Sequence, residues 1–557
     1  MRCYQNVLIA LCTAATICSV SACKKENKAD QNSTVTASKA ISVRVPWDKT
    51  KPNAYLEYIP EDALVVFAST RNLDKQSDNY KNFQALIDAY SKTIPGLKNY
   101  NGNNADDGLD PDGRFDVVSY WANKSLVVKI GYEDAEKFRT TLEATGLDLW
   151  SNLGELFIGK TCIDAIGTPK FVEKNISEQK WQIYDLQPIL TNSNCMQKTE
   201  KEMENVPKTV AVHYGEYDVT IALAADESAL PALLEKPKTS FDTKKFGEVP
   251  ADAILTGYTD NVKIVEKVFS LSNPLGDFDA SERKICTSEL IDILSNIAAS
   301  RYIMRIAKDG SLSGSHVIVA SDEINSVLRS IAAPHANLAQ PQTLATAGLN
   351  LSVSNAIDAL KKLTTSMKAR EFKCASLATS ANMLDGAVSF LSNPMITETA
   401  NTLTGVNLAI NDFNMDAPEK SNFILTLSGS NMPAAFSKVK TMLAFKAPSI
   451  AMLKLDNGVV TPVDLKSLID MPVTANAMMT DNDLIIATAE NDIKAISELP
   501  KTTDGRIVNL MINGNIKKIL NAAGAERFTI PPDTQLQLSL GVTATGIELD
   551  ANLKLLK

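Results

Sequence analysis

Five aspartates crowd into residues 103–116, NNADDGLDPDGRFD: Asp106, Asp107, Asp110, Asp112 and Asp116. Hard oxygen ligands at alternate positions around a turn glycine are what calcium prefers. With Gly113 as that glycine, Asp110, Asp112 and Asp116 take loop positions 3, 5 and 9 of a helix–loop–helix calcium site. Positions 1 and 12 then fall on Gly108 and Ser119, so the two strongest ligands are missing. The segment reads as a solvated acidic loop that feeds a strand, with Asp110, Asp112 and Asp116 as weak metal candidates. No other cofactor is expected. The three histidines, His213, His316 and His335, are far apart in the chain and form no zinc motif. Ser177 and Lys180 have the Ser-x-x-Lys spacing of some acyl enzymes, but they precede a short strand rather than open a helix. The run Gly-Ser-Leu-Ser-Gly at 310–314 lacks the spacing of a nucleophile elbow, and no phosphate-binding glycine loop occurs.

The elements that must position these groups show a recurring unit. A short apolar strand ends in a small or polar residue, a capping residue follows, and an amphipathic helix comes next. Residues 317–320 lead to Ser321, then Ile324, Val327, Leu328 and Ile331. Residues 350–353 lead to Ser354, and residues 220–224 lead to Asp226 and a helix through Leu234. Ser, Asp and Asn at such joints satisfy free N–H groups of the first helical turn, and the i, i+3, i+7 spacing lays an apolar stripe on a sheet. Adjacent strand pairs with tight turns, at 115–130 and 301–320, argue for antiparallel pairing. In 535–540, Gln535, Gln537 and Ser539 alternate with Leu536, Leu538 and Leu540, which predicts that the polar face is wet.

Self-similarity extends this pattern. Residues 209–224, TVAVHYGEYDVTIALA, match residues 474–489, TANAMMTDNDLIIATA, at an offset of 265. Pro-Lys-Thr follows in both places, at Pro237 and Pro500, and each half is expected to close on a hairpin. The expected fold is α+β: two tandem homologous domains, 53–333 and 342–557, each an antiparallel sheet with helices packed on one face. His335 would then sit in the linker between them.

The first 22 residues read as a processing signal, with Arg2 the only charged side chain before Lys24. Val20-Ser21-Ala22-Cys23 resembles a bacterial lipobox. That resemblance implies diacylation of the Cys23 thiol, cleavage before it, and acylation of the new amine. An ordinary signal cut near Ala22 is the alternative, but it has no use for a cysteine at that place. Residues 23–52 then form the lipidated cysteine and a disordered tether rich in Lys, Asn, Ser and Thr. Lys24 is not the aspartate that favours inner-membrane retention in enteric-type bacteria, so the expected address is the periplasmic side of the outer membrane. Residues 58–68 and 108–115 resemble openings of uncharacterised secreted bacterial proteins, a resemblance that carries no activity.

Eight cysteines are present. Cys3, Cys12 and Cys18 leave with the signal and Cys23 takes lipid, which leaves Cys162, Cys195, Cys286 and Cys374. In an oxidising compartment these suggest two disulfides, of three possible connectivities, with four buried thiols as the alternative. Proximity favours Cys162–Cys195 and so Cys286–Cys374.

Composition closes off several classes. Of 557 residues, 45% are hydrophobic, enough for globular folding rather than a wholly disordered chain. A net charge of −9, with Lys and Arg dispersed, argues against nucleic-acid binding. The resulting expectation is a non-catalytic envelope binding or scaffold protein, joined to the membrane by its lipid and meeting an envelope protein, polymer or lipid. The alternative is an envelope hydrolase with a carboxylate or serine site in the cleft between the two halves.

Overall fold

The computed structural model describes residues 54–69, 117–122, 125–131, 171–192, 207–216, 218–250, 252–271, 280–307, 309–339, 343–394, 402–412, 420–443, 452–466, 473–488, 490–514 and 534–555, with a few single positions besides. Its strands are β1 Val65–Ser69, β2 Val117–Ala122, β3 Ser125–Gly131, β4 Val172–Ile176, β5 Gln179–Asp185, β6 Thr209–Tyr214, β7 Asp218–Ala224, β8 Ala253–Asp260, β9 Ala299–Ile306 and β10 Leu312–Val319. They continue with β11 His335–Ala336, β12 Ala345–Asn350, β13 Leu403–Asp412, β14 Asn422–Gly429, β15 Val460–Asp464, β16 Thr474–Met479 and β17 Asp483–Ala487. The last are β18 Lys501–Thr502, β19 Arg506–Asn513, β20 Thr534–Val542 and β21 Gly546–Leu555.

The expected pair of tandem domains, each with its own sheet, is corrected here. The described residues are 43% strand and 33% helix, and 19 strands belong to one antiparallel sheet. Two separate sheets would each end in edge strands with unpaired N–H and C=O groups. Instead the outer edge of β21 is taken by β10 along its whole length, from Leu312 opposite Leu553 to Val319 opposite Gly546.

The chain divides into two compact units, residues 1–274 with 301–310, and residues 275–300 with 311–557. In the first unit the ladders run β4-β5-β6-β7-β3-β2-β1-β8. In the second they run β15-β16-β17-β14-β13-β12-β19-β20-β21-β10. What recurs is a strand order and its register. Ala211 faces Ala222, and at the same offset of 265 Asn476 faces Ala487. From there Val127, Tyr120, Val66 and Tyr258 follow in one unit, and Ile424, Ala409, Thr346 and Met511 in the other.

Caps form much as their residue types dictate. Ser321 Oγ accepts from the N–H of Ile324 to open the helix Asp322–Ile331. Ser352 rather than Ser354 caps Val353–Ala369, two residues earlier than expected. The helix expected after Asp226 is instead two short 3-10 turns, Glu227–Ala229 and Pro231–Leu233. Pro231 has no N–H to continue a helical ladder. At β14, β16 and β17 both sheet faces are covered. Ile493 and Ile496 of the helix Glu490–Ser497 pack with Ile424 and Ile485 on one side. Met432 and Phe436 of Met432–Leu443 pack with Leu484 and Leu427 on the other. Among the described residues no helix is long and apolar enough to cross a membrane.

Candidate functional site

Directly opposed residues of antiparallel strands share a face. In the first unit this rule lines up His213, Thr220, Lys129 and Val118 across β6, β7, β3 and β2. Lys129 is buried, and its Nζ donates to Thr220 Oγ1 at 3.1 Å. The same ammonium lies 5.5 Å from the centre of the Tyr58 ring, a distance at which the ring quadrupole attracts a cation. The His213 ring stands 5.1 Å from Trp181, and its Nδ1 is 2.8 Å from the carbonyl of Lys180. Only a protonated Nδ1 can donate to a carbonyl, so this bond selects the tautomer. Tyr120, on the same face, has its hydroxyl pushed well above the ordinary phenol range by burial. A buried lysine is a reactive group when a substrate can reach it. Here the whole row is sealed, so it serves as a hydrogen-bonded strip of core.

The second unit carries a carboxyl pair. Asp550 on β21 faces Ser315 on β10 and Ser539 on β20. Glu548, two residues before it, accepts a hydrogen bond of 2.5 Å from Ser315 Oγ. Burial raises the Asp550 pKa above the ordinary carboxylate range, and the negative charge of Glu548 adds to this. The Ser315 hydroxyl and the positive charge of Arg506 act the other way. A carboxyl whose pKa is raised beside a second carboxylate is the kind of pair that general acid–base chemistry uses. Among the described residues no group of three or more His, Cys, Asp or Glu side chains is placed to hold a metal ion.

The most unusual surface is the opposite face of that same sheet. Val406, Leu349, Val508, Leu540 and Leu549 stand directly opposite one another across β13, β12, β19, β20 and β21. They are 41%, 45%, 37%, 37% and 46% exposed. Behind them run Leu408, Ala347, Leu510, Leu538 and Ala551, then Ile410, Ala345, Ile512, Leu536 and Leu553. The polar side chains between them point inward. Asn350, Asn407 and Gln535 are buried. Asn407 Nδ2 donates to Asn350 Oδ1 at 2.9 Å, and Thr343 Oγ1 donates to Asn411 Oδ1 at 2.8 Å. Gly348 leaves room for this network, since a Cβ there would collide with the amide oxygens of Asn407 and Asn509. The expectation that the polar face of 535–540 is the wet one is thus corrected: Gln535 is buried and Leu540 is exposed. These lateral bonds satisfy part of the buried polar set, leaving Asn350 Nδ2 and Gln535 Oε1 without a partner, so alternation alone does not say which face is inside.

The repeated register makes a control for this exposure. Val406 occupies the place that Val117 holds in the first unit. Val117 is only 2% exposed and packs in a cluster with Val128, Ile130 and Val219.

Of the residues singled out in the sequence, Cys286 and Cys374 meet in a disulfide with Cα atoms 4.8 Å apart. It ties the helix Ala280–Leu294 to the residue that precedes Ala375–Leu391, both within the second unit. Cys23, Cys162, Cys195, Asp110, Asp112 and Asp116 lie outside the described residues, as do the signal and the tether. Ser177 and Glu178 form the exposed turn between β4 and β5, both at positive φ, so Ser177 and Lys180 belong to a hairpin. His335 is buried in β11, paired with Thr502 of β18, rather than set in a solvated linker. Burial lowers the pKa of His316, on β10. Sequence reasoning missed Ser315, Glu548 and Asp550, because their contact joins residues more than two hundred positions apart. No family model, no curated protein and no solved structure matches the chain.

Proposed function

We propose that this chain is an envelope lipoprotein, anchored through Cys23, that works as a non-catalytic binding or scaffold protein. Its partner side is the apolar sheet face of the second unit. The observation that carries the reading is the exposed row from Val406 to Leu549. Contiguous apolar surface of a few hundred Å² or more marks an interaction site, whereas scattered apolar residues do not. The lipobox, the apolar leader and the polar tether support the address. Titration of the full chain with the fluorescent probe anilinonaphthalene sulfonate tests the reading. Enhanced fluorescence is expected, reduced several-fold by Leu349→Asp or Val406→Asp. Equal fluorescence in the variants would remove this face as the binding surface.

One observation favours a second reading, an envelope hydrolase. Asp550, Glu548 and Ser315 form a hydrogen-bonded cluster in which one carboxyl holds its proton more tightly than usual. Hydrolysis of nitrophenyl esters or glycosides that disappears in Asp550→Asn would support it. Turnover unchanged in that variant would exclude the cluster.

A further inference from the structure

We infer that the apolar sheet face of the second unit is the surface on which a second copy of this chain docks, face to face, about a two-fold axis. This rests on the binding reading given above and names its occupant.

Three observations select the occupant. The face is aliphatic across all five strands, and the residues on it from Val406 to Leu553 are Val, Leu, Ile and Ala. Second, these strands are internal: β12 has β13 and β19 as neighbours, and β20 has β19 and β21. Their backbone groups are spent, so an added peptide strand has no edge to join. Third, the rows named above contain no Trp, Tyr, Lys or Arg to anchor the face at a lipid headgroup, and the chain carries a net charge of −9. Anionic bilayers attract basic and aromatic rims, not this surface.

Area supports a dimer. Five strands about 4.8 Å apart and three rows about 6.8 Å apart give a footprint on the order of 500 Å². Two copies together would bury about 1,000 Å², the lower bound for a specific interface. Stacked sheets with apolar inner faces pack about 10 Å apart, with strand directions within about 30° of each other. A two-fold axis near Val508, on the central strand of the five, would bring β13 of one copy over β21 of the other. No charge on the face opposes its own image, so self-pairing meets no repulsion.

Sedimentation velocity of the full chain carrying Cys23→Ser, over about 1–200 µM, tests this at the transient end of the interface range. A reversible monomer–dimer equilibrium is expected, with Val508→Asp raising the dimer Kd at least tenfold. Met383→Asp, on the exposed face of the helix Ala375–Leu391, should leave it unchanged. Val508→Thr, which keeps the branched shape and strand preference, checks folding and should weaken the dimer less than the aspartate. A monomer throughout the range overturns the proposal, as does a dimer that ignores Val508→Asp. In either case the apolar probe separates the two readings. Uptake that still depends on Val508 keeps the face as a binding surface for another partner. Uptake indifferent to Val508 removes both.

Discussion

Leu349 and Asn350 are neighbours on β12, yet Leu349 is 45% exposed and Asn350 is fully buried. Their strand lies between β13 and β19, so the inversion is a property of the sheet and not of a frayed edge. Exchange at the two positions should therefore reverse the usual rule. Leu349→Thr is expected to change stability by no more than about 1 kcal/mol, as surface substitutions do. Asn350→Ala takes away the acceptor for Asn407 Nδ2 and should cost about 1–3 kcal/mol. Urea unfolding of both variants measures the difference, and an equal loss in each would contradict the burial described.

The disulfide between Cys286 and Cys374 closes a loop with a sequence separation of 88. Cross-linking a loop of that size removes enough unfolded-chain entropy to stabilise by about 4 kcal/mol. Cys286→Ala with Cys374→Ala should lower the midpoint of the transition that reports on the second unit. A reducing agent should do the same to that transition in the native chain and nothing further to it in the double variant. Mass spectrometry of the non-reduced digest should recover the linked peptides.

Asp550 supplies a pH dependence of definite sign. Its carboxyl is raised by burial and by Glu548, so the folded state holds that proton more tightly than the unfolded chain does. Stability from this group is full below the ordinary carboxylate pKa and is lost as pH rises through the raised one. Asp550→Asn removes the titration. The variant should gain stability relative to the native chain on going from pH about 4 to pH about 7. Parallel stability curves across that range would show that Asp550 titrates normally.

Much of the local architecture was legible in the chain. Ser321 marks a helix start because its hydroxyl can take a free N–H, and it does so. The match of 209–224 with 474–489 was legible in the chain, and the two segments form equivalent hairpins, with Ala211 opposite Ala222 and Asn476 opposite Ala487. Pro231 was in plain view and still outweighed by the leucines around it, although the missing N–H decides the matter.

Tertiary structure alone decided the rest. Which strand covers a free edge is set by the fold, and the pairing of β10 with β21 joins residues too distant for any periodicity to report. Alternation of Leu with Gln and Ser in β20 defines two faces but not which one is inside. That choice fell to the side chains of other strands, where Asn350, Asn407 and Gly348 build a hydrogen-bonded interior. The carboxyl pair has the same origin: Glu548 and Asp550 are ordinary acids in sequence. Burial raises the Asp550 carboxyl, the charge of Glu548 adds to it, and burial is a property of the fold rather than of the residue.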